Sequence, residues 1–319
     1  MKFGFGVPVQ GPFATPDNIV RVAKHGEALG FDYCYVSDHL VIPSGIKSPY
    51  PYSKDGSWPR GKIPDYYEAV TLLAFLAAAT TRVRLVTNVL IVPYRDPIVT
   101  AKMLACIDVL SKGRVTLGVG VGWMKEEFEA LGLPPFAERG KVTDEYVRAF
   151  KEIWTSDTPR FKGDYVSFGN ISIAPKPLQK SGLPIWVGGE SPPALRRAAA
   201  LGDAWYPVGN SPKFPMDTAE RYGRAAAELR RLTEAAGRRP DAVALSYFSS
   251  AYTDTETLKA TDGSRHAFTG TDDDIVEDLA RFGAIGLANI SLNFRSASLD
   301  EMLTRMDRFA TKIRPRFKG

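Results

Sequence analysis

Cysteine and histidine are scarce in this chain. Its 319 residues include two cysteines, Cys34 and Cys106, and three histidines. Two distant cysteines make neither a disulfide framework nor a Cys-x-x-Cys pair, which points to a reducing, cytoplasmic setting. Histidines at 25, 39 and 266, without a His-Glu-x-x-His, argue against a histidine-based metal site. Common nucleotide signatures are missing too. There is no Gly-x-x-x-x-Gly-Lys-Ser/Thr, and Gly118, Gly120 and Gly122 run into Trp123 before a Gly-x-Gly-x-x-Gly can form. No Gly-x-Ser-x-Gly elbow is present. The longest apolar stretch, residues 69–79, is broken by Thr71 and is too short to span a bilayer. The N-terminus lacks the continuous apolar segment of a signal peptide. The net charge of +5 comes without a long Lys/Arg run, so an anionic small molecule is a better expectation than nucleic acid or a membrane.

What is present reads as an ordinary globular protein, 44% hydrophobic and 24% charged. Short apolar runs alternate with helical patterns. Strands are expected at 2–8, 33–37, 83–92, 115–121, 184–187, 204–207, 243–248 and 288–293. Helices are expected at 15–30, 65–80, 96–110, 142–154, 192–200, 218–236, 272–282 and 299–313. Thr15-Pro16-Asp17 marks the first helix start, with Thr as N-cap and Pro at the first helical position. A small hairpin is expected from 165–168 and 171–173 about Gly169-Asn170. Eight strand–helix units whose strands are apolar on both faces predict an α/β fold, a closed (β/α)8 TIM barrel, as one domain over 1–319. Insertions at 41–64, 126–141 and 249–271 follow strands directly and belong at the C-terminal mouth, where barrel active sites lie; a fourth insertion covers 160–180.

Several residues at that mouth carry chemistry. His39, just past the second strand, suits proton exchange near neutral pH, with Asp38 orienting it or raising its pKa. The alternative is a turn in which Asp38 caps and His39 is merely at the surface. His25 reads as a surface residue, and His266 as part of a solvated loop or a substrate contact. The glycines of Leu117-Gly-Val-Gly-Val-Gly-Trp123 leave one strand face bare. For Gly118 this relieves crowding inside the barrel; Val121, Gly122 and Trp123 are placed to wall a ligand. Gly188-Gly189-Glu190-Ser191 joins a strand to a helix start, and its amides form an anion cradle suited to phosphate, provided Glu190 points away; a tight turn capped by Ser191 is compatible with this. Asn88 is a polar residue within an apolar strand, facing either the mouth or the barrel interior. Tyr50, Tyr52 and Trp58 form a lid or substrate wall, or belong to a disordered loop. Lys54, Arg60 and Lys62 make that loop basic, either toward an anionic tail or simply toward solvent.

In order and spacing, these features resemble the luciferase-like flavin and deazaflavin oxidoreductase superfamily over nearly the whole chain. The resemblance rests on Phe3-Gly-Phe-Gly, Ser37-Asp38-His39, Thr87-Asn88-Val89-Leu90, Pro97, Ser111-Lys112-Gly113-Arg114, Leu117-Gly-Val-Gly-Val-Gly-Trp123, Glu126-Glu127-Phe128 and Val187-Gly188-Gly189. The Gly-Val-Gly-Val-Gly-Trp and Glu-Glu-Phe-Glu segments are most similar to its coenzyme F420-dependent branch. The resemblance implies a deazaflavin across the mouth with its phosphate on Gly188-Gly189, and a non-proline cis peptide at Asn88-Val89 supporting its ring. It also implies a catalytic His39 with Asp38 touching the cofactor. The branch's sugar-phosphate dehydrogenases carry a Glu where this chain has Trp123, which implies a different substrate here. The expected activity is hydride transfer between F420 and a small organic molecule. The alternatives are an FMN-dependent two-component monooxygenase and a non-catalytic barrel that binds flavin or an anion. Family members are often dimers, so a homodimer using helices 65–80 and 96–110 is expected.

Overall fold

The computed structural model describes residues 1–58 and 65–318. Its strands and helices follow in the order β1 (Lys2–Gly6), α1 (Pro16–Ala28), β2 (Tyr33–Val36), α2 (Ala69–Ala79), β3 (Arg84–Thr87), β4 (Leu90–Ile91), α3 (Pro97–Leu110), β5 (Val115–Gly120), α4 (Lys125–Ala130), α5 (Arg139–Thr155), β6 (Phe161–Lys162), β7 (Ser167–Phe168), β8 (Ile185–Gly188), α6 (Pro192–Leu201), β9 (Ala204–Tyr206), α7 (Ala219–Ala235), β10 (Ala244–Ser249), α8 (Asp272–Ile285), β11 (Leu287–Leu292) and α9 (Leu299–Arg308). β1 pairs with both β2 and β11, and pairing continues through β3, β5, β8, β9 and β10 back to β11. All these pairs are parallel, so among the described residues the sheet closes as an eight-stave (β/α)8 barrel.

Glycine sets the interior of the barrel. On β1, Phe3 and Phe5 face the helices, Phe3 against Phe309 and Phe5 against Gly26 of α1. Gly4 and Gly6 face inward, because a Cβ at Gly4 would lie 2.0 Å from the Tyr33 ring and one at Gly6 2.9 Å from Tyr35. Tyr33 and Trp186, together with Tyr206, fill that interior edge to face. The same device recurs on β5. Leu117 and Val119 are fully buried outside the barrel, while a Cβ at Gly118 would stand 1.9 Å from the Thr87 carbonyl oxygen and one at Gly120 2.4 Å from Val89. The period-two glycines therefore admit the neighbouring stave.

That stave departs from the expected single strand at 83–92. It is split into β3 and β4 by Asn88-Val89, whose peptide bond is cis, as the family resemblance implies. Val89 seats its methyl groups against Gly120 and Gly188. Other boundaries also differ. α2 starts at Ala69 because the Glu68 carboxylate caps the amides of Val70 and Thr71. The insertion at 126–141 contains α4 and the start of α5. The small hairpin pairs Phe161–Lys162 with Ser167–Phe168 and turns at 163–166, where the Glu145 carboxylate collects the amides of Asp164, Tyr165 and Val166. The expected 165–168/171–173 pairing is thereby overturned. The Thr15 cap and Pro16 start of α1 are present as read.

A Gly118→Ala variant is expected to lose about 1–3 kcal/mol or more of stability, since backbone rather than a flexible side chain blocks the new methyl. Gly45→Ala, where nothing lies within 4 Å, is expected to melt like the parent. Thermal melts of the two variants check the contrast.

Candidate active site

His39 follows β2 at the mouth, and its partner is a carboxylate from α4. Its Nδ1 lies 2.7 Å from Glu127 Oε2. The other Glu127 oxygen accepts from the amides of Leu40 and Val41 at 2.7 and 3.1 Å, and the Tyr94 hydroxyl donates to Oε2 at 2.8 Å. The Glu127 side chain is fully buried. Burial alone would raise its pKa, but the His39 hydrogen bond and charge and the two amides outweigh it and hold the carboxyl below its ordinary value. Burial and the facing Glu127 charge push the Tyr94 hydroxyl far up, so it stays a neutral donor. A carboxylate can only accept, so neutral His39 carries its proton on Nδ1 and presents an unprotonated Nε2.

Asp38 does not orient His39, which corrects the expectation for that pair. Arg95 grips both Asp38 oxygens at 2.7 and 2.8 Å, and Oδ2 also accepts from the Ile91 amide at 2.9 Å. Its side chain is fully buried, turned under the mouth toward β4. Arg95 also pairs with Glu68, the cap of α2. Asp38 thus fixes the backbone just after Asn88-Val89. Asn88 donates its amide to the Val36 carbonyl at 2.6 Å, and its side chain is half-buried.

Aromatic rings surround His39. Its ring centroid lies 5.3 Å from Trp58, 5.2 Å from Tyr66 and 6.3 Å from Trp123. Tyr50 packs edge-on to both Tyr52 and Trp123. Tyr50, Tyr52 and Trp58 therefore form one wall with Trp123 across the His39 side of the mouth. The loop that carries them is tied down on both sides. Glu126 accepts from the amides of Lys47 and Ser48, and across the barrel Asn210 donates to the Tyr52 carbonyl at 3.3 Å. Lys54 is exposed at its tip, whereas Arg60 and Lys62 lie outside the described residues.

Across the mouth, β8 leads into α6 through Gly188 and Gly189. Gly189 has φ +101°, a conformation that favours glycine, and a Cβ there would lie 3.1 Å from Ala194. Ser191 occupies the N-cap position of α6 without a side-chain capping bond. Pro192 and Pro193 have no N–H, so the amides available to an anion narrow to those of Gly189, Glu190, Ser191 and Ala194. Glu190 turns its buried carboxyl aside, accepting from the Val208 amide at 2.6 Å. Burial pushes that carboxyl up to about 7. Val121 is half-buried at the β5 exit. Gly122 is used for packing rather than as a bare ligand wall, since the space of its absent Cβ is taken by Phe128 and Ile91.

Sequence reasoning missed Glu127, Tyr94, Arg95, Tyr66 and Arg139. Glu127 left a signal, since it sits three residues after Met124 and four before Leu131, on the apolar face of its short helix. Arg139 donates to the carbonyls of Gly122 and Phe136 and has no carboxylate partner among the described residues. His266 is buried rather than solvated, with Nδ1 on the Ala267 carbonyl. Among the described residues no group of three or more His, Cys, Asp or Glu is placed to hold a metal ion.

The barrel mouth thus sets the His39–Glu127 pair on one side and the Gly188-Gly189 turn on the other. The family model for luciferase-like monooxygenases matches residues 1–307, and the chain belongs to that family. It is 35% identical over 219 residues to an uncharacterised protein of Mycobacterium tuberculosis, covering 69% of this chain and 72% of that one. It is 34% identical over 193 residues to the FMNH(2)-dependent dimethylsulfone monooxygenase of Pseudomonas putida, covering 60% of this chain and 48% of that enzyme. An F420-dependent secondary alcohol dehydrogenase shares the fold, with a TM-score of 0.72 at 19% identity, over 100% of this chain and 99% of that one.

The Glu190 carboxyl makes the stability of this site pH-dependent. Its folded pKa is raised from 4.5 to about 7, so its contribution is complete at low pH and is lost as pH rises through that interval. Glu190→Gln keeps an acceptor for Val208 and cannot ionise. Its melting temperature is expected to gain on the parent between about pH 5 and about pH 8; an equal difference at both would contradict a neutral buried carboxyl.

Proposed function

We propose that this protein is an F420-dependent oxidoreductase that moves a hydride between the deazaflavin and a small organic substrate. The observation that carries the reading is the buried Glu127 holding His39 Nδ1, with Nε2 left among the rings of Trp58, Tyr66 and Trp123. When bound, the deazaflavin supplies two-electron hydride chemistry. The chain's own residues do the rest. His39 Nε2 takes the proton of a substrate hydroxyl as hydride leaves its carbon, or returns it in the reverse direction. Glu127 is a positioning residue that fixes the imidazole tautomer and orientation. Trp58, Trp123, Tyr50 and Tyr52 exclude water and orient the substrate.

The residues at the mouth support a phosphate-bearing cofactor in this reading. The Gly189 turn is a cradle that a Cβ would fill, and Glu190 keeps its carboxyl off it. In this reading Gly188, Gly189, Glu190 and Ser191 present backbone to the phosphate, and Arg139 supplies positive charge near the β5 exit. Asn88, Val89, Val121 and Trp123 lie beside the ring; Gly122 contributes only backbone. Asp38 acts through Arg95 and the Ile91 amide, as a positioning residue. The second reading, an FMN-dependent monooxygenase, is favoured by the 34% identity to the Pseudomonas putida enzyme. The chain is read as one domain working in the cytoplasm, consistent with two free cysteines. Among the described residues no helix is long and apolar enough to cross a membrane.

A fluorescence titration of F420 and FMN side by side is expected to favour F420; tighter FMN binding, with oxygen uptake on reduction, would favour the second reading. His39→Ala and Glu127→Gln are each expected to keep the cofactor Kd within about twofold while lowering turnover on the order of 10²–10⁴-fold, the usual range for losing a general acid–base or the carboxylate that orients it. Loss of binding with intact turnover at saturation would contradict both roles.

A homodimer is proposed through α2 and α3. Val99, Met103 and Leu110 are 56%, 37% and 72% exposed on α3, and Phe75 is 42% exposed on α2. Val99→Glu combined with Leu110→Glu is expected to convert a dimer to a monomer in sedimentation; a monomeric parent protein would overturn this assignment.

A further inference from the structure

Gln10, four residues past β1, carries a polar group that nothing above uses. It is 6% exposed, and both ends of its carboxamide, Nε2 and Oε1, are buried without a hydrogen-bond partner among the described residues. A buried amide that is unpaired at both ends is costly, and native proteins rarely keep one without a purpose. Its direction follows from its backbone. Gln10 forms an isolated antiparallel bridge with Tyr66, and the Tyr67 amide donates to the Val9 carbonyl beside it at 3.0 Å. Residues directly opposed in an antiparallel pair send their side chains to the same side. Tyr66 uses that side to place its ring 5.2 Å from His39 and its hydroxyl on Ser37 Oγ. Gln10 therefore projects on the His39 side of the mouth.

We propose that Gln10 is a specificity-determining residue whose carboxamide pairs with an O=C–N–H edge on the molecule bound beside His39. One carboxamide offers one donor end and one acceptor end. A cis-amide edge satisfies both through two antiparallel hydrogen bonds, whereas a ketone, ether or hydrocarbon leaves at least one end unpaired. No charged group is needed. Two molecules can bring this edge, the pyrimidine end of a flavin-type ring or a lactam-like substrate. The inference rests on the reading that the mouth binds such a ring with a substrate next to His39.

The test uses the full-length protein and Gln10→Leu, which keeps the volume and removes both polar ends. Four probes are titrated: FMN, its N3-methyl derivative, 2-quinolone and N-methyl-2-quinolone, the quinolones against protein saturated with F420. If the edge belongs to the ring, the parent binds FMN about tenfold or more tighter than the N3-methyl form, and Gln10→Leu erases that preference. If it belongs to the substrate, the flavins bind parent and variant alike, and the preference for 2-quinolone over its N-methyl form disappears in the variant. Without ligand, Gln10→Leu is expected to melt at or above the parent temperature. Unchanged preferences for both pairs, or a ligand-free melting temperature lower by about 2 °C or more, would overturn the proposal. Failure of the parent to bind FMN or F420 would instead sink the cofactor reading and leave Gln10 to be judged by the melts and by the quinolones on the unloaded protein.

Discussion

One buried carboxylate organises this protein's mouth. Glu127 has no contact with solvent, and four donors converge on it: the His39 ring, the Tyr94 hydroxyl and the amides of Leu40 and Val41. A charge that deep is tolerated only when its lone pairs are filled, and here they are filled by the groups whose positions matter. The same contacts pin the start of the aromatic loop and fix which face of the imidazole looks outward. Removing the carboxylate would leave the histidine ring, the loop start and the Tyr94 hydroxyl without a common anchor.

A second anchor lies beneath it. Asp38 and Arg95 join β2, β4 and the cap of α2 in one ionic chain. Beside that chain Val89 fits against glycines of β5 and β8. The floor of the mouth is therefore made rigid by packing and ion pairing, while the walls are large rings on a strapped loop. This division of labour suits chemistry in which a cofactor carries the electrons and the protein fixes geometry.

The barrel was readable because each stave is a short apolar run followed by an amphipathic helix, and those patterns are local. The same holds for the Thr15 cap and for Gly118 of β5, whereas the inward packing of Gly4 and Gly6 shows only in the fold. The placement of His39 and the Gly188-Gly189 bend at strand ends was also legible, because it follows from the same strand pattern. What escaped was set by distance along the chain. Glu127 sits in the polar segment Lys125–Ala130, six residues long, and its partners lie 33 to 88 positions earlier in the chain. Asp38 was assigned to its sequence neighbour, yet an arginine 57 positions away holds it. The hairpin register failed because Gly169-Asn170 looked like the turn, while the Glu145 carboxylate on α5 selected a turn at 163–166. Short-range turn chemistry lost to a long-range hydrogen bond in that case.

The central claim is that Glu127 fixes the tautomer of His39, and nitrogen NMR reads it directly. The protein has three histidines, so the side-chain nitrogens of His39 can be assigned by its absence in a His39 variant. In the neutral imidazole the account predicts a protonated Nδ1 and an unprotonated Nε2 in His39. A protonated Nε2, or the averaged signal of a freely exchanging surface histidine, would contradict it.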